Sequence, residues 1–577
     1  MENAALARLL FDIADLLEIR GDNPFKIRAY RSAGELVTSD PRRVADLDDR
    51  ALRELPGIGK DLAQRIRELV TTGDSPFRQE LAASFPATLL ELLRLQGVGP
   101  KTVKRLYEEL GVASLDALEQ AARSGRVSAM KGMGGRKQAL ILKAIEERRR
   151  YAGRHLAASV EQTARTIVAR LALVEPGVDI VAVGSLRRGA EVCGDLDLLA
   201  VGASSVVMTA FAAQPEVVRV LGAGDTKSSV LLTSGLQADL RLVEPAARGA
   251  ALQYFTGSKA HNIALRDRAL SRGLRLNEYG LFQADGGARI AGDTEEGIYE
   301  ALGLAFVPPE LREHRGEIAR AEARSLPHLI ARSDLRGDLH VHTSATDGKD
   351  DIETMALAAR AAGLEYIAIT DHSQALAMAG GLDERRTLAH AAAIRDVSRR
   401  LDGISLLAGI ECDIRLDGTL DLAEDCLAAL DVVVASVHSG FSQEPSALTE
   451  RYLRALECPW VDVLGHPTGR LLLKREPLRF DLDAVLDAAV RHGVAIEINC
   501  LPDRLDVSDT VARHALDKGA RLVVSSDSHS AAAFGVLDGG IRVARRAWAS
   551  PSDVLNTRTL DGLRGALRRH RSAPSTP

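Results

Sequence analysis

A chain of 577 residues exceeds what a single hydrophobic core organises and points to several domains. With 27% charged residues and a formal net charge of -5, it is not a uniformly basic nucleic-acid coat, so any DNA-binding surface must be local. Its five cysteines, Cys193, Cys412, Cys426, Cys458 and Cys500, form no C-x-x-C pair, which argues against a disulfide framework or a thiolate zinc site and fits a reducing cytoplasm. From the N-terminus, Asp12, Asp15 and Glu18 interrupt the first apolar stretch and no long charge-free apolar run follows, so neither a signal peptide nor a membrane span is expected.

Residues 1–150 carry apolar side chains at three- and four-residue spacing with short Gly/Pro breaks, which predicts a helical region. Two breaks, Leu55-Pro56-Gly57-Ile58-Gly59-Lys60 and Leu95-Gln96-Gly97-Val98-Gly99-Pro100-Lys101, each precede an amphipathic helix. In such a helix-hairpin-helix pattern Gly57, Gly59, Gly97 and Gly99 permit a tight turn, and amides at the next helix start can bind a DNA phosphate without reading sequence. Met130-Lys131-Gly132-Met133-Gly134 is a weaker third version. The competing reading is a ligand-free helix connection. The hairpins divide the region at 1–90 and 91–150, and Arg148-Arg149-Arg150 closes it as a solvated face or hinge.

The apolar strand Ile180 to Val183 runs into Gly184-Ser185-Leu186-Arg187-Arg188, followed by Gly194-Asp195-Leu196-Asp197-Leu198-Leu199. Residues two apart in a strand share a face, so Asp195 and Asp197 aim at one point, and Asp239 in a second alternating run, Gln237 to Val243, supplies a third carboxylate. Three carboxylates suit two Mg2+ or Mn2+ ions for in-line phosphoryl transfer, with the amides and hydroxyl of Gly184 and Ser185, helped by Arg188, holding the β- and γ-phosphates. A polar edge strand and an ordinary turn are the alternative. This α+β nucleotidyltransferase palm spans 151–250.

Next come Tyr254-Phe255-Thr256-Gly257-Ser258, Asn262, Arg266 and Asn277-Glu278-Tyr279. In this order and spacing the chain resembles the family X DNA polymerases, and over nearly its whole length the bacterial PolX proteins, which join such a polymerase to a PHP phosphoesterase domain. The resemblance implies that Asp195, Asp197 and Asp239 bind the catalytic metals and that Asp239 helps activate the primer 3′-hydroxyl. It implies that Gly184, Ser185 and Arg188 hold the triphosphate, that Tyr254, Phe255 and Gly257 line the sugar, that Asn262 reaches the minor-groove edge of the base and that Arg266 meets the template. It also implies a 5′-phosphate pocket at Lys26, Tyr30 and Arg31, against which stands a solvated basic helix face. The Schiff-base lysine of the mammalian relatives is matched by Arg65, whose permanent charge excludes that role, although Lys60 is close by. Lys259 stands where those relatives carry an acid. The nucleotide-binding subdomain is placed at 251–315, and a linker at 316–333 inside the charged run that follows Pro308-Pro309.

Ten of the fourteen histidines lie beyond residue 334. Seven short β-like runs alternate with helical stretches and end at or near His340 and His342, His372, Glu411, His438, His466, Asn499, and Asp527 with His529, which predicts a distorted (β/α)7 barrel over 334–577 with its ligands at the strand C-terminal ends. With Asp347, these residues resemble the PHP motifs. Nine N/O ligands suit about three ions, Mn2+, Zn2+ or Fe, for hydrolysis of a phosphodiester. Arg415, Arg470 and Lys474 are candidates for the substrate phosphates.

The fold expected is multidomain: a helical helix-hairpin-helix N-terminus, the palm and the PHP barrel. The function expected is a DNA-directed DNA polymerase filling short gaps in base excision repair or end joining, with a 3′-to-5′ exonuclease and a further capacity to cut at abasic sites or remove a 3′-phosphate. Its partners would be gapped or nicked DNA and deoxynucleoside triphosphates, with no membrane; the chain would act as a cytoplasmic monomer. The alternatives are a small-molecule phosphatase in the PHP domain, or a non-catalytic DNA-end scaffold.

Overall fold

Local capping decides where the helices of the first 150 residues begin and end. Asp48, Ser75 and Ser114 each accept a hydrogen bond from a first-turn amide, and the helices Lys60–Thr72 and Pro100–Leu110 stop at Gly73 and Gly111, both left-handed. The computed structural model describes residues 3–567 except Asp40, Pro41, Ala87, Arg94, Gln96 and Ala152. Gln96 of the second hairpin motif therefore lies outside the described residues. The chain divides into two units, Met1–Ala152 and Gly153–Pro577.

The first unit has two apolar cores. One gathers side chains from Leu6 to Leu81, and the other joins Ile19 to side chains from Leu89 to Ile145. Each core holds hairpin residues: Leu55 and Ile58 in the first, Leu95, Val98, Met130 and Met133 in the second.

In the second unit, a five-stranded sheet is built from β1 (Asp179–Ala182), β2 (Asp195–Val201), β3 (Val217–Ala223), β4 (Lys227–Leu232) and β5 (Gln237–Val243), in the order β1-β2-β5-β4-β3. Strands β2 and β5 are parallel neighbours, and every other pairing is antiparallel. Helices Ala157–Val174 and Ser205–Ala212 cover one face through Val160, Ile167, Leu171, Val207 and Phe211. A three-stranded antiparallel sheet, β6 (Leu274–Asn277), β7 (Gly280–Gln283) and β8 (Arg289–Ala291), packs with helices Arg248–Thr256 and Lys259–Ser271.

Of residues 316–333, expected as a linker, the stretch up to Leu329 is folded into this subdomain, and Ile330 enters the core of the domain that follows. Helix Glu317–Glu322 buries Ala321 in the subdomain core, and Leu329 joins it there, with Trp548 from the far end of the chain. Glu317 explains the burial: its carboxylate accepts from His261 at 2.6 Å and from the amide of His314, contacts that the charged sequence of the segment conceals.

Seven strands, β9 (Gly337–Val341), β10 (Tyr366–Ile369), β11 (Ser405–Asp413), β12 (Val432–Ser436), β13 (Val463–Leu464), β14 (Ala495–Asn499) and β15 (Leu522–Ser525), pair in sequence order, all parallel. A bridge from Val341 to Ser528 links the first strand to the last, nearly closing a barrel. Both faces of the strands are buried, as an apolar parallel sheet requires. Ile367, Ile369, Val433 and Ala435 pack in one layer, while Tyr366, Ala368, Val432 and Val434 pack in another with Leu555, Leu563 and Leu567. Among the described residues no helix is long and apolar enough to cross a membrane.

Within this unit the barrel meets the rest through arginine-carboxylate pairs. Arg470 pairs with Glu191 (2.5 Å), Arg542 with Glu161 (2.7 Å), Arg545 with Glu310 (2.7 Å) and Arg546 with Glu313 (2.9 Å). In each the barrel supplies the arginine. Arg315 with Asp509 (2.8 Å) runs the other way.

Candidate functional site

Strand register brings the three aspartates together. Asp197 lies beside Asp239 on the parallel pair β2/β5, and Asp195 shares the face of Asp197 two residues earlier. Leu196 and Leu198 point the other way into the core. Burial, then the charges of Asp195 and Asp239, push Asp197 up to about 6, the signature of carboxylates gathered without enough positive charge. Burial also works against Asp239, but hydrogen bonds from Gln237, Lys227 and Ser229 outweigh it and hold its carboxyl below the usual range. Such a surplus of negative oxygen suits hard divalent cations.

The turn after β1 shapes the neighbouring cleft. Gly184 has φ +65°, and a Cβ there would stand 2.6 Å from Asp197 Oδ2, so only glycine lets the turn pass under the carboxylate. The cleft, of about 510 Å3, is lined by Gly184, Ser185, Arg188, Asp195, Asp197, Tyr254, Phe255, Gly257, Asn262 and Arg266, with Lys259 and Thr256 completing the wall. Tyr254 and Phe255 meet edge to face at 5.1 Å, and Arg241 lies over the Phe255 ring at 4.6 Å. Asn262 is fixed by Gln253, which donates to its carbonyl, and by its own amide donating to Tyr254 O, both at 2.7 Å. The Arg188 guanidinium donates to Thr256 O (2.6 Å) and Glu313 (3.0 Å).

The hairpins share one backbone shape. Gly57 and Gly97 both have φ +79°, and Gly59 and Gly99 open the next helices extended, without a side-chain cap, which suits first-turn amides to meeting a phosphate, although Thr102 N already donates to Gly99 O at 2.8 Å. In the third copy Gly132 is left-handed but Gly134, at φ +36°, departs from this pattern. The expected 5′-phosphate contacts differ in exposure. Tyr30 is buried against Phe77, and Arg31, with its side chain 39% exposed, pairs with Asp15 (2.9 Å) and Glu18 (2.5 Å). Lys26, exposed above the Phe77 ring, remains available. Arg65 pairs with Glu68 at 2.8 Å, and Lys60 is exposed. Of the arginine run, Arg149 pairs with Asp116 and Glu119; the side chains of Arg148 and Arg150 lie outside what is described.

In the barrel the histidines gather at the C-terminal strand ends. Ligand atoms of His342, Asp347, His372 and His529 lie within 4.8 Å of one another, as do those of His340, His342 and Asp527, and those of His372, Glu411 and His438. His466 falls outside these groups but places Nε2 3.0 Å from Glu411. Ring nitrogens of His340, His342, His372 and His466 are buried without a hydrogen-bond partner, which a metal ion would supply. Burial pushes His342 down to about 4, so its ring is neutral at pH 7 and free to ligate. Burial also opposes charge on His372, but Glu411 and Asp347 raise it to about 10; three carboxylates and six imidazoles share this pocket. Two candidate ligands sit at positive φ, His466 (+26°) and Asp527 (+53°), and such strain collects where side-chain aim matters more than backbone ease.

The supporting residues were not anticipated. Glu497, fully buried, accepts from His340 Nδ1 (2.7 Å) and from the His466 amide (2.6 Å). Asp413 meets His438 Nδ1 at 3.2 Å, and Asp371 accepts from Thr343, Thr346 and His390. A lone glutamate inside the apolar run Ala495–Asn499 is the signal that marks Glu497. The three candidates for the substrate phosphates each have a partner within the protein. Arg470 is 8% exposed and is held by Glu191 and Leu505 O, Lys474 pairs with Asp503 at 2.7 Å, and Arg415 donates to Asp421 O.

Comparison with known proteins adds independent findings. Family models match as helix-hairpin-helix domain (residues 1–75), SAM-like helix-hairpin-helix tandem (89–147), DNA polymerase beta palm (157–238), DNA polymerase beta thumb (251–313) and PHP domain (338–500). The chain is 35% identical over 573 residues, 99% of its length and 100% of the relative's, to a Bacillus subtilis protein named DNA polymerase/3′-5′ exonuclease PolX. It is 31% identical over 234 residues, 38% of its length and 87% of the relative's, to a Shewanella sp. (strain ANA-3) protein named probable phosphatase. A Thermoanaerobacter sp. (strain X514) protein of the same description matches at 31% over 232 residues, 38% of this chain and 89% of that one.

Proposed function

As a member of the PolX family, this chain is a DNA-directed DNA polymerase with a metal-dependent 3′-to-5′ exonuclease, and we propose that it fills short gaps in DNA during repair. Base excision repair is the setting we infer, with end joining as a second use of the same activity. The observation that supports this best is the pairing of Asp197 with Asp239 across β2/β5, at a cleft whose other wall is Arg188, Gly257 and Asn262. When bound, Mg2+ or Mn2+ at the aspartates and Mn2+, Zn2+ or Fe at the histidine cluster supply the Lewis acidity for phosphoryl transfer and phosphodiester hydrolysis.

The chain's own groups do the rest. Asp239, kept ionised by Lys227 and Gln237, accepts the proton of the primer 3′-hydroxyl. Ser185, the Gly184 turn and Arg188 hold the triphosphate, and Tyr254, Phe255 and Gly257 crowd a 2′-hydroxyl. Asn262 meets the base edge and Arg266 the template. In the barrel, His340, His342, Asp347, His372, Glu411, His438, His466, Asp527 and His529 form the hydrolytic centre, with Glu497 orienting the His340 ring and holding the His466 backbone. The hairpin glycines Gly57, Gly59, Gly97 and Gly99, with Lys26, hold gapped or nicked DNA through its backbone, so binding weakens steeply with salt. We infer a monomer that acts in the cytoplasm.

A damaged 3′ end must be cleaned before it can be extended, so we assign the barrel a terminus-trimming role that includes abasic-site incision or 3′-phosphate removal. A second reading, a phosphatase acting on free nucleotides, draws on the relatives named probable phosphatases.

Purified protein with a labelled gapped duplex and Mn2+, with and without nucleotides, tests both. Asp197→Ala abolishes extension alone and His342→Ala abolishes shortening alone. Loss of both activities in either variant, or hydrolysis of free nucleotides with intact DNA ends, overturns the two-site repair reading.

A further inference from the structure

Arg188, which we assign to the triphosphate, is held by a residue from the other catalytic domain. Its guanidinium Nε donates to Glu313 Oε1 at 3.0 Å. The same oxygen accepts from Arg546 Nη1 at 2.9 Å, and that nitrogen also donates to the backbone carbonyl of Arg188 at 2.8 Å. Arg546 closes the barrel helix Leu537–Arg546 and is 8% exposed. Its remaining donors reach Asp509 at 3.0 and 3.1 Å, and Asp509 is also paired with Arg315 at 2.8 Å.

We propose that Arg546, carried by the PHP barrel, is a positioning residue of the polymerase reaction: it shares the Glu313 carboxylate and so leaves Arg188 positive charge for the incoming triphosphate. The inference rests on the reading of Arg188 given above. Arg188, Arg546 and Arg315 set three guanidiniums against the two carboxylates Glu313 and Asp509, so the connected cluster carries a net positive charge beside the cleft. Without Arg546, Glu313 would face Arg188 alone in a half-buried one-to-one pair, and a phosphate would have to break that pair to bind. The bond to the Arg188 carbonyl also fixes the end of the Gly184–Arg187 turn whose amides face the same phosphates. Asp509 keeps Arg315 as its partner, so removing Arg546 leaves no bare buried carboxylate. Arg546 is not among the nine barrel ligands, and exonuclease activity is therefore an internal control.

The test is single-nucleotide insertion on a gapped duplex by the full-length protein. Arg546→Met raises KM for the nucleotide about tenfold and changes kcat less than about twofold, while digestion of a single strand is unchanged. Arg546→Lys restores most of the affinity. Glu313→Gln in the Arg546→Met background lowers KM again, and Glu313→Gln alone lowers it below wild type. A structural role predicts the reverse: kcat, exonuclease rate and melting temperature fall together, and the second substitution adds to the damage. That result, or an unmoved KM, overturns the proposal. If Arg546→Met does not fold, Glu313→Gln alone decides, because a rise in its KM sinks the idea. Arg188→Met separates the two readings. Should it leave KM unchanged, the triphosphate assignment fails first; should it raise KM while Arg546→Met does not, only the present inference fails.

Discussion

Replacing Glu497 by glutamine asks whether the histidine cluster depends on its buried support. Glu497 is fully buried, with one oxygen 2.7 Å from His340 Nδ1 and the other 2.6 Å from the amide of His466. Glutamine preserves shape but offers only one acceptor, so its NH2 group must face either the His340 N–H or the His466 N–H. A buried donor left unsatisfied costs about 1–3 kcal/mol, and residues that orient metal-binding histidines typically change metal affinity by roughly 10–100-fold. The Mn2+ concentration for half-maximal digestion of a 5′-labelled strand should rise by about that factor. Gap filling under Mg2+ should change less than about twofold, since the aspartate site shares no partner with Glu497. Competition with a chromophoric chelator gives the metal affinity without reference to activity. An unchanged Mn2+ midpoint together with unchanged affinity would refute the assignment of Glu497 as a support of the cluster.

Gly184→Ala places a Cβ 2.6 Å from Asp197 Oδ2 at φ +65°, and a misplacement of this size should cut insertion by about a hundredfold while sparing the exonuclease; near-normal kcat would show the turn has room. Glu295, buried between Arg187 (2.5 Å) and Arg312 (2.6 Å), has its carboxyl held low: burial opposes its charge, but the Arg187 hydrogen bonds and the Arg312 charge outweigh it. A depressed pKa stabilises the fold above the unfolded value, about 4.5, and that contribution is lost as pH falls through the folded value. Glu295→Gln should thus cost about 3–5 kcal/mol at pH 7, and its melting temperature should converge on wild type in acid; a gap independent of pH contradicts this. Gly57→Ala with Gly97→Ala forces two left-handed alanines, at roughly 1–2 kcal/mol each, and should weaken binding to nicked duplex by fluorescence anisotropy; unaltered affinity would free the hairpins of any DNA role.

What the sequence made visible was periodic or chemically rare. Alternation in β2 and β5 fixed the face of Asp195, Asp197 and Asp239, and apolar runs ending in histidine announced the barrel and the end at which its ligands meet. Packing partners distant in the chain were hidden. Tyr30 looks exposed until Phe77 stacks on it, Arg31 looks unpaired until the helix Asn3–Arg20 supplies Asp15 and Glu18, and Arg470 looks free until Glu191, 279 residues away, claims it. Residues 316–333 read as a charged connector because nothing local says that Glu317 meets His261. Glu497 was legible in principle, since a glutamate in Ala495–Asn499 has no apolar reason to be there.

The charge segregation between barrel and polymerase has a practical side. Four arginines, Arg470, Arg542, Arg545 and Arg546, stand on one surface and four glutamates on the other. Cutting the chain near residue 333 would strip Arg470, Arg542 and Arg545 of these partners and leave Arg546 with Asp509 alone. The freed barrel would present a cationic face and adsorb any polyanion, and the freed polymerase would show an acidic face that repels the same strand. Nucleic-acid binding by the severed halves would report on the scar, and dissection of the two activities is better done with point substitutions in the intact chain.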